Sequence, residues 1–237
     1  MLLAFVDTPQ RHERLTVFPV VASDQPELSY LLLADAMRRG VVTIFEDAPG
    51  KPPSLVARNR GSQPVLILDC EAMGGPVKNH STNQSVLLGP ATVTRFPISC
   101  LNTGKWSCQE RKKEFARSLE GFPMVGSQVG ILAFLGRELL GMDVLGTPEL
   151  YSPLHRRLLA GYLTTALATR KERDPEGPAS EEDLQNLALA LQSAQRVSAF
   201  CPGSGEYCNL EGDISGGELR HNGHLVHLSV FPKGVAA

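Results

Sequence analysis

The sequence predicts an α+β protein with a β-rich core, an antiparallel sandwich or barrel-like set of sheets carrying two to four helices and ending in a β-hairpin. Three observations lead there. Short apolar, β-branched runs recur through the first half, each bounded by Gly, Pro, Asn or Ser. They do not alternate with helices as a βαβ winding would require. Near the C-terminus Asn222-Gly223, the preferred filling of a two-residue type I′ turn, lies between two more such runs.

Taken in order, residues 15–22 read as a strand and 23–26 as a turn. Residues 33–39 read as a short helix stopped by Gly40. Residues 41–46 return to strand, and the Pro/Gly cluster at 49–53 turns the chain. Residues 55–59 and 65–69 form an expected antiparallel pair, as do 85–88 and 91–98 across Gly89-Pro90. Residues 108–119 are charged and helical. Strands at 129–135 and 138–144 flank Gly136-Arg137. Pro153 then opens a helix with Leu154, Leu158, Leu159, Tyr162, Ala166 and Leu167 on one face. Ser180 and Asp183 resemble a capping box ahead of an amphipathic helix bearing Leu184, Leu187 and Leu191. The whole of 1–237 reads as one domain. Its helical segment 150–195 packs on the β core, and 171–179, charged and rich in Pro and Gly, is expected to be a mobile loop.

Composition excludes more than it selects. A chain of 237 residues with a formal net charge of −2 has no global pull toward nucleic acid or an acidic membrane surface. The basic run Arg111, Lys112, Lys113 is balanced by Glu110 and Glu114. No basic n-region precedes the first apolar residues, and no apolar run approaches a membrane span, so a cytoplasmic protein is expected. The five cysteines, an odd number, read there as reduced thiols.

Familiar catalytic signatures fail. Gly104-Lys105 is followed by Trp106, which rules out a P-loop, and no G-x-G-x-x-G opens a helix. No arginine stands six residues after Cys70, Cys100 or Cys108, as a phosphatase loop needs. His221, His224 and His227 are spaced by three. In a two-residue hairpin, however, His221 faces His224 while parity sends His227 to the other side, so no metal site is read from them.

The densest polar set lies between residues 71 and 106. Glu71 ends an apolar stretch, Lys78, Asn79, His80, Asn83 and Ser85 follow a Gly-Gly-Pro turn, and Lys105 and Trp106 close the run. Loops bracketed by strands are where scaffolds present chemistry. Glu71 suits a general base or an acceptor for a ribose diol, and His80 its acid partner. Asn79, Asn83 and Ser85 offer hydrogen bonds to hydroxyls or phosphate oxygens. Lys78 and Lys105 suit phosphate, and Trp106 suits stacking on a base. Cys100 reads as a packing residue.

In this run the chain resembles the ARG and rhodanese-phosphatase-superfamily-associated protein domain family. The likeness rests on Cys70-Glu71, Lys78-Asn79-His80, Asn83-Gln84-Ser85 and the stretch from Ser99-Cys100 to Gly104-Lys105-Trp106. It extends to Gln128-Val129-Gly130, Gly141-Met142-Asp143 and the ending from Val226 to Phe231. His80, Asn102 and Lys105 stand where the family pattern has arginine, glutamate and arginine, and neither imidazole nor ammonium reproduces a guanidinium fork. The resemblance implies, through the family's association with ADP-ribosylglycohydrolases and a rhodanese-like phosphatase, a nucleotide-like or phosphorylated-sugar ligand related to ADP-ribose or NAD. Two functions fit: binding and hydrolysis of such a ligand, or a non-catalytic scaffold beside ADP-ribose enzymes. Whether a cofactor takes part is left open by the sequence.

Overall fold

The computed structural model describes residues 4–23, 29–46, 54–69, 71–74, 79–82, 84–100, 118–169 and 177–234. The chain opens with β1 (Ala4–Val6), β2 (Gln10–His12), β3 (Leu15–Ala22), β4 (Leu31–Leu32), α1 (Leu33–Arg38) and β5 (Val42–Glu46). Next come β6 (Ser54–Asn59), β7 (Val65–Ile67), β8 (Ala72–Gly74), β9 (Asn79–Thr82), β10 (Val86–Leu88) and β11 (Val93–Cys100). The second half runs β12 (Gln128–Leu135), β13 (Glu138–Leu145), α2 (Pro148–Tyr151), a 3-10 turn (Ser152–Leu154), α3 (His155–Thr169) and α4 (Glu181–Ser193). It ends with β14 (Gln195–Ala199), β15 (Glu206–Glu211), β16 (Ile214–His221) and β17 (His224–Pro232). The architecture is α+β with a β-rich, mostly antiparallel core, and the sheets stay open instead of closing into a barrel.

A nine-stranded sheet runs β1-β3-β12-β13-β17-β16-β15-β14, with β2 also on β3. Alternation along β12 divides its two faces. Leu132 and Phe134 point to the layer of α4, where Leu187, Leu184 and Leu191 pack, and Val129 joins them because the register shifts between Gln128 and Gly130. Ile131, Ala133 and Leu135 point the other way, to Leu150, Tyr151, Leu159 and Tyr162 and to Leu66, Leu68 and Leu87. Leu66 and Leu87 belong to a small middle sheet, β10-β7-β4. Its opposite face, Val65, Ile67, Val86 and Leu88, packs on α1 and on a third sheet, β5-β6-β11-β9-β8. The middle sheet is therefore apolar on both sides, which explains why β7 and β10 read as unbroken hydrophobic runs.

The expected pairings in this region are corrected. Residues 55–59 do not pair with 65–69, nor 85–88 with 91–98. Instead β7 pairs with β10, and β6 with β11, both antiparallel. Strands 54–67 and 86–98 thus form one long ribbon, bent at 60–64 and 89–92 so that its halves lie in two stacked sheets. Buried Asn59 fixes the bend by donating from Nδ2 to the carbonyls of Gln63 (2.8 Å) and Gly89 (2.9 Å). What looked like two hairpins is one hairpin, whose connecting excursion holds β8 and β9.

The free edge of β10 is covered by the loop after β14. Ser204 N donates to Leu87 O at 2.7 Å, and Gln84 Nε2 to Phe200 O at 2.9 Å. Gly203 permits this approach, because a Cβ there would stand 2.2 Å from Leu87 O. Gly203→Ala is expected to lift the loop, lower stability by about 1–3 kcal/mol and expose a strand edge. Urea unfolding and light scattering would measure both, and an unchanged midpoint would contradict the packing described.

Other expectations hold with adjustments. Residues 15–22 form a strand, α1 stops at Gly40 with φ +69°, and Ser180 with Asp183 makes a capping box. Leu154 of the 3-10 turn and Leu159, Tyr162 and Ala166 of α3 are buried, but Leu167 is exposed because Leu163 takes the inward position. Residues 171–176 of the expected loop, and 101–117 with most of the expected charged helix, lie outside the described residues. The C-terminal hairpin turns at Asn222-Gly223 with φ +52° and +77°, and pairs His221 with His224. A bulge shifts the register so that Leu219 pairs with His227 and Arg220 with Leu225. The extra residue, Val226, reverses the parity expected for His227. His227 therefore faces the same layer as His221, whose Nδ1 meets the Tyr30 hydroxyl at 3.2 Å.

Candidate functional site

A group of polar side chains stands where the apolar pattern of the inner layer calls for hydrophobic ones. On the nine-stranded sheet, Asp143 of β13 is paired with Ser229 of β17, with His227 one step along the same face. Their chain neighbours Met142, Val144, Leu228 and Val230 turn to the α4 layer. Asp69 and Ser85 reach them from the ends of β7 and β10, where the ribbon leaves and re-enters the middle sheet. Tyr162 and Arg157 come from α3. Three layers thus deliver one cluster, with His227 and Ser229 almost wholly buried.

The hydrogen bonds are specific. Ser85 Oγ meets His227 Nδ1 at 2.8 Å and accepts from the Asp69 backbone N–H at 3.0 Å. His227 Nε2 lies 3.3 Å from Asp143 Oδ1. The Tyr162 hydroxyl donates to Asp143 Oδ2 at 2.5 Å, and Ser229 Oγ donates to Asp69 Oδ2 at 2.9 Å. Asp69 Oδ1 stands 3.8 Å from His227 Nδ1. Tyr162 finds room because Gly141 has no side chain: a Cβ there would lie 3.0 Å from the tyrosine ring.

Burial pushes the His227 imidazole down, but the carboxylates of Asp69 and Asp143 outweigh it and hold the ring above its ordinary value. Burial also raises Asp69, resisted by His227 and reinforced by Asp143. Tyr162 is pushed up by burial and by Asp143.

Beside the cluster, Arg157 bridges to solvent. Its Nη1 donates to Glu71 Oε1 at 2.8 Å, while Glu71 Oε2 accepts from the Leu68 backbone N–H at 3.0 Å. The Arg157 side chain is 43% exposed, against 11% for both Glu71 and Asp69. The mouth therefore presents a guanidinium whose remaining donors are taken up by none of the described residues, next to a partly accessible carboxylate. A groove of about 600 Å³ lined by Phe134, Leu187, Leu189 and Ile214 lies instead on the α4 face of the large sheet, away from this chemistry.

The structure brings together two of the residues singled out in the sequence, Glu71 and Ser85. Both serve the protein's own groups: Glu71 is engaged by Arg157 and a backbone amide, and Ser85 by His227. Asn79 and His80 lie on β9, in the hairpin with β8 where Met73 pairs with His80. Lys78, Asn83, Asn102, Lys105 and Trp106 lie outside the described residues. Sequence reasoning missed Asp69, Asp143, Arg157, Tyr162, Ser229 and the role of His227. The available signal was an isolated acid or imidazole at an inward position of an otherwise apolar strand.

A second polar network adjoins the first. Gln128 Nε2 donates to the Tyr151 hydroxyl at 2.8 Å, Tyr151 meets His155 Nδ1 at 2.6 Å, and His155 Nε2 meets the Phe122 carbonyl at 3.0 Å. Burial lowers His155, partly offset by that carbonyl. A folded-state value below 6.5 means that the unfolded chain takes up the proton first as pH falls. Stability from this group is complete above about pH 6.5 and is lost as pH falls toward the folded value. Urea midpoints across that window should decline in the wild type and decline less in His155→Gln. Equal slopes would show that another group governs the response.

A family profile matches residues 5–119 and again residues 107–231. The chain belongs to the ARG and Rhodanese-Phosphatase-superfamily-associated Protein domain family. Comparison with curated proteins and with solved structures gave no match. Asp143 lies in the Gly141-Met142-Asp143 segment of the resemblance, and His227 and Ser229 lie in its C-terminal segment. Among the described residues of this family member, no helix is long and apolar enough to cross a membrane.

Proposed function

We propose that this family member binds a nucleotide-like or phosphorylated-sugar ligand, related to ADP-ribose or NAD, at the mouth formed by Arg157, Asp69 and Glu71, and hydrolyses it. The observation that carries the reading is Arg157. Glu71 holds one of its nitrogens, so the guanidinium is oriented, half-exposed and still able to offer N–H donors to a phosphate. Asp69, raised by burial, lies beside it and can accept a proton from an attacking water. His227 and Asp143 behind it supply a hydrogen-bonded path into the interior. Glu71, first read as the base, acts here as a positioning residue. The reading keeps the protein in the cytoplasm, where Cys201 and Cys208 stay free thiols.

Thermal shift with ADP-ribose, NAD and ribose 5-phosphate tests binding, since a ligand selective for the native state must raise the melting temperature. A shift is expected in the wild type and should be lost in Arg157→Ala. If none of the three ligands shifts a folded wild type, the binding reading fails and the alternative, a non-catalytic scaffold beside ADP-ribose enzymes, takes its place.

A further inference from the structure

We propose that Asp69, Asp143 and His227 form a binding site for one divalent cation that accepts mixed oxygen and nitrogen donors, such as Mn²⁺ or Zn²⁺. One ligand atom from each residue lies within 4.8 Å of the other two. The inference rests on the cluster described above and not on the organic ligand proposed for its mouth.

The pattern of hydrogen bonds separates atoms that are used from atoms that are spare. Each carboxylate has Oδ2 held by a hydroxyl: Asp143 by Tyr162 at 2.5 Å and Asp69 by Ser229 at 2.9 Å. His227 has Nδ1 held by Ser85 at 2.8 Å. What remains is Oδ1 of each aspartate and Nε2 of the histidine. Outer partners on the non-ligating atoms are how metal ligands are oriented. The contact between Nε2 and Asp143 Oδ1, 3.3 Å, is long for a charged hydrogen bond, which favours about 2.7–2.9 Å. Two ligands of one tetrahedral ion, each about 2.0–2.1 Å from it, stand roughly that far apart. Asp69 Oδ1 has no hydrogen-bond donor among the described residues, and its 3.8 Å approach to the imidazole is to Nδ1, on the side away from Asp143.

A second observation points to the same space. Tyr207 is 6% exposed, and its hydroxyl has no hydrogen-bond partner among the described residues. The hydroxyl lies over Gly217, where a Cβ would stand 1.8 Å from it, and Gly217 is the strand partner of Ser229. It is thus a buried polar group directed at the cluster from β15, placed to meet a further ligand of the ion. Charge agrees. Glu71 and Arg157 offset each other, so with the imidazole neutral Asp69 and Asp143 leave two negative charges, the complement of a divalent cation.

The test uses the metal alone. The full chain, stripped with chelator and dialysed, is titrated with Mn²⁺ by electron paramagnetic resonance. The expected result is one bound Mn²⁺ per chain, with nitrogen modulation in the spin echo from a single imidazole. Asp143→Asn and His227→Gln should abolish that site, and Ser85→Ala should weaken it by about 10–100-fold. No stoichiometric Mn²⁺ or Zn²⁺ binding by the folded wild type overturns the proposal, as does bound Mn²⁺ without nitrogen modulation. The spectroscopic arm needs no variant and stands even if the substituted chains fail to fold. Metal binding without a nucleotide shift would sink only the proposed organic ligand, and the reverse would sink only the cation.

Discussion

Asp143→Ala is expected to lower stability by about 3–5 kcal/mol in chelator, among the largest losses available to a single change in this protein. The substitution removes a small side chain but strands two buried partners, the Tyr162 hydroxyl and the His227 imidazole. Uncompensated buried polar and charged groups, not the lost contact itself, dominate such costs. His227→Phe in the same background removes one stranded partner, so the double variant should be less destabilised than the sum of the two singles. Urea denaturation of the four proteins gives the coupling energy. Additive effects would mean that Asp143 and His227 are not one unit.

Asp69→Asn should leave the fold intact while cutting any measured turnover by about 10²–10⁴. The amide keeps the shape, and its carbonyl oxygen can still accept from Ser229, but it neither takes a proton nor binds a cation well. The change costs less in stability than Asp143→Ala, because the amide oxygen keeps the Ser229 hydroxyl paired while alanine leaves Tyr162 and His227 without their acceptor. Because both a proton-accepting and a metal-holding Asp69 predict the loss, this variant places the chemistry at Asp69 without choosing between them. The Mn²⁺ titration chooses. Glu71→Gln should instead raise KM through a looser Arg157, with kcat changed far less. If Glu71→Gln abolishes kcat while Asp69→Asn does not, the roles assigned here are reversed.

Local chemistry was legible where a single stretch of chain decides the outcome. Asn222-Gly223 adopts its turn because both positions favour positive φ, and Ser180 with Asp183 caps α4 because the bonds close within one turn. The amphipathic faces of α3 and α4 follow from periodicity, with Leu167 exposed because its neighbour Leu163 points inward. The strand segments of the first half were also legible, but their partners were not. Nothing within residues 55–69 records that β6 and β7 continue into different sheets, since that depends on where residues 86–98 return.

The same division runs through the site. Residue composition drew attention to the loop after Glu71, where asparagine, serine and lysine accumulate, because polar density is a one-dimensional signal. Asp69, Asp143, Arg157 and His227 each look unremarkable alone, one polar residue in an apolar or amphipathic stretch. They become a cluster only when β7, β13, β17 and α3 pack together, and His227 joins them only because a bulge at Val226 reverses its facing. By itself the sequence determined the class of fold, the C-terminal hairpin and the caps, all set by contacts within a few residues. The tertiary structure alone decided strand partners and the convergence of the carboxylates and imidazole, because those depend on long-range packing that places polar groups side by side away from water.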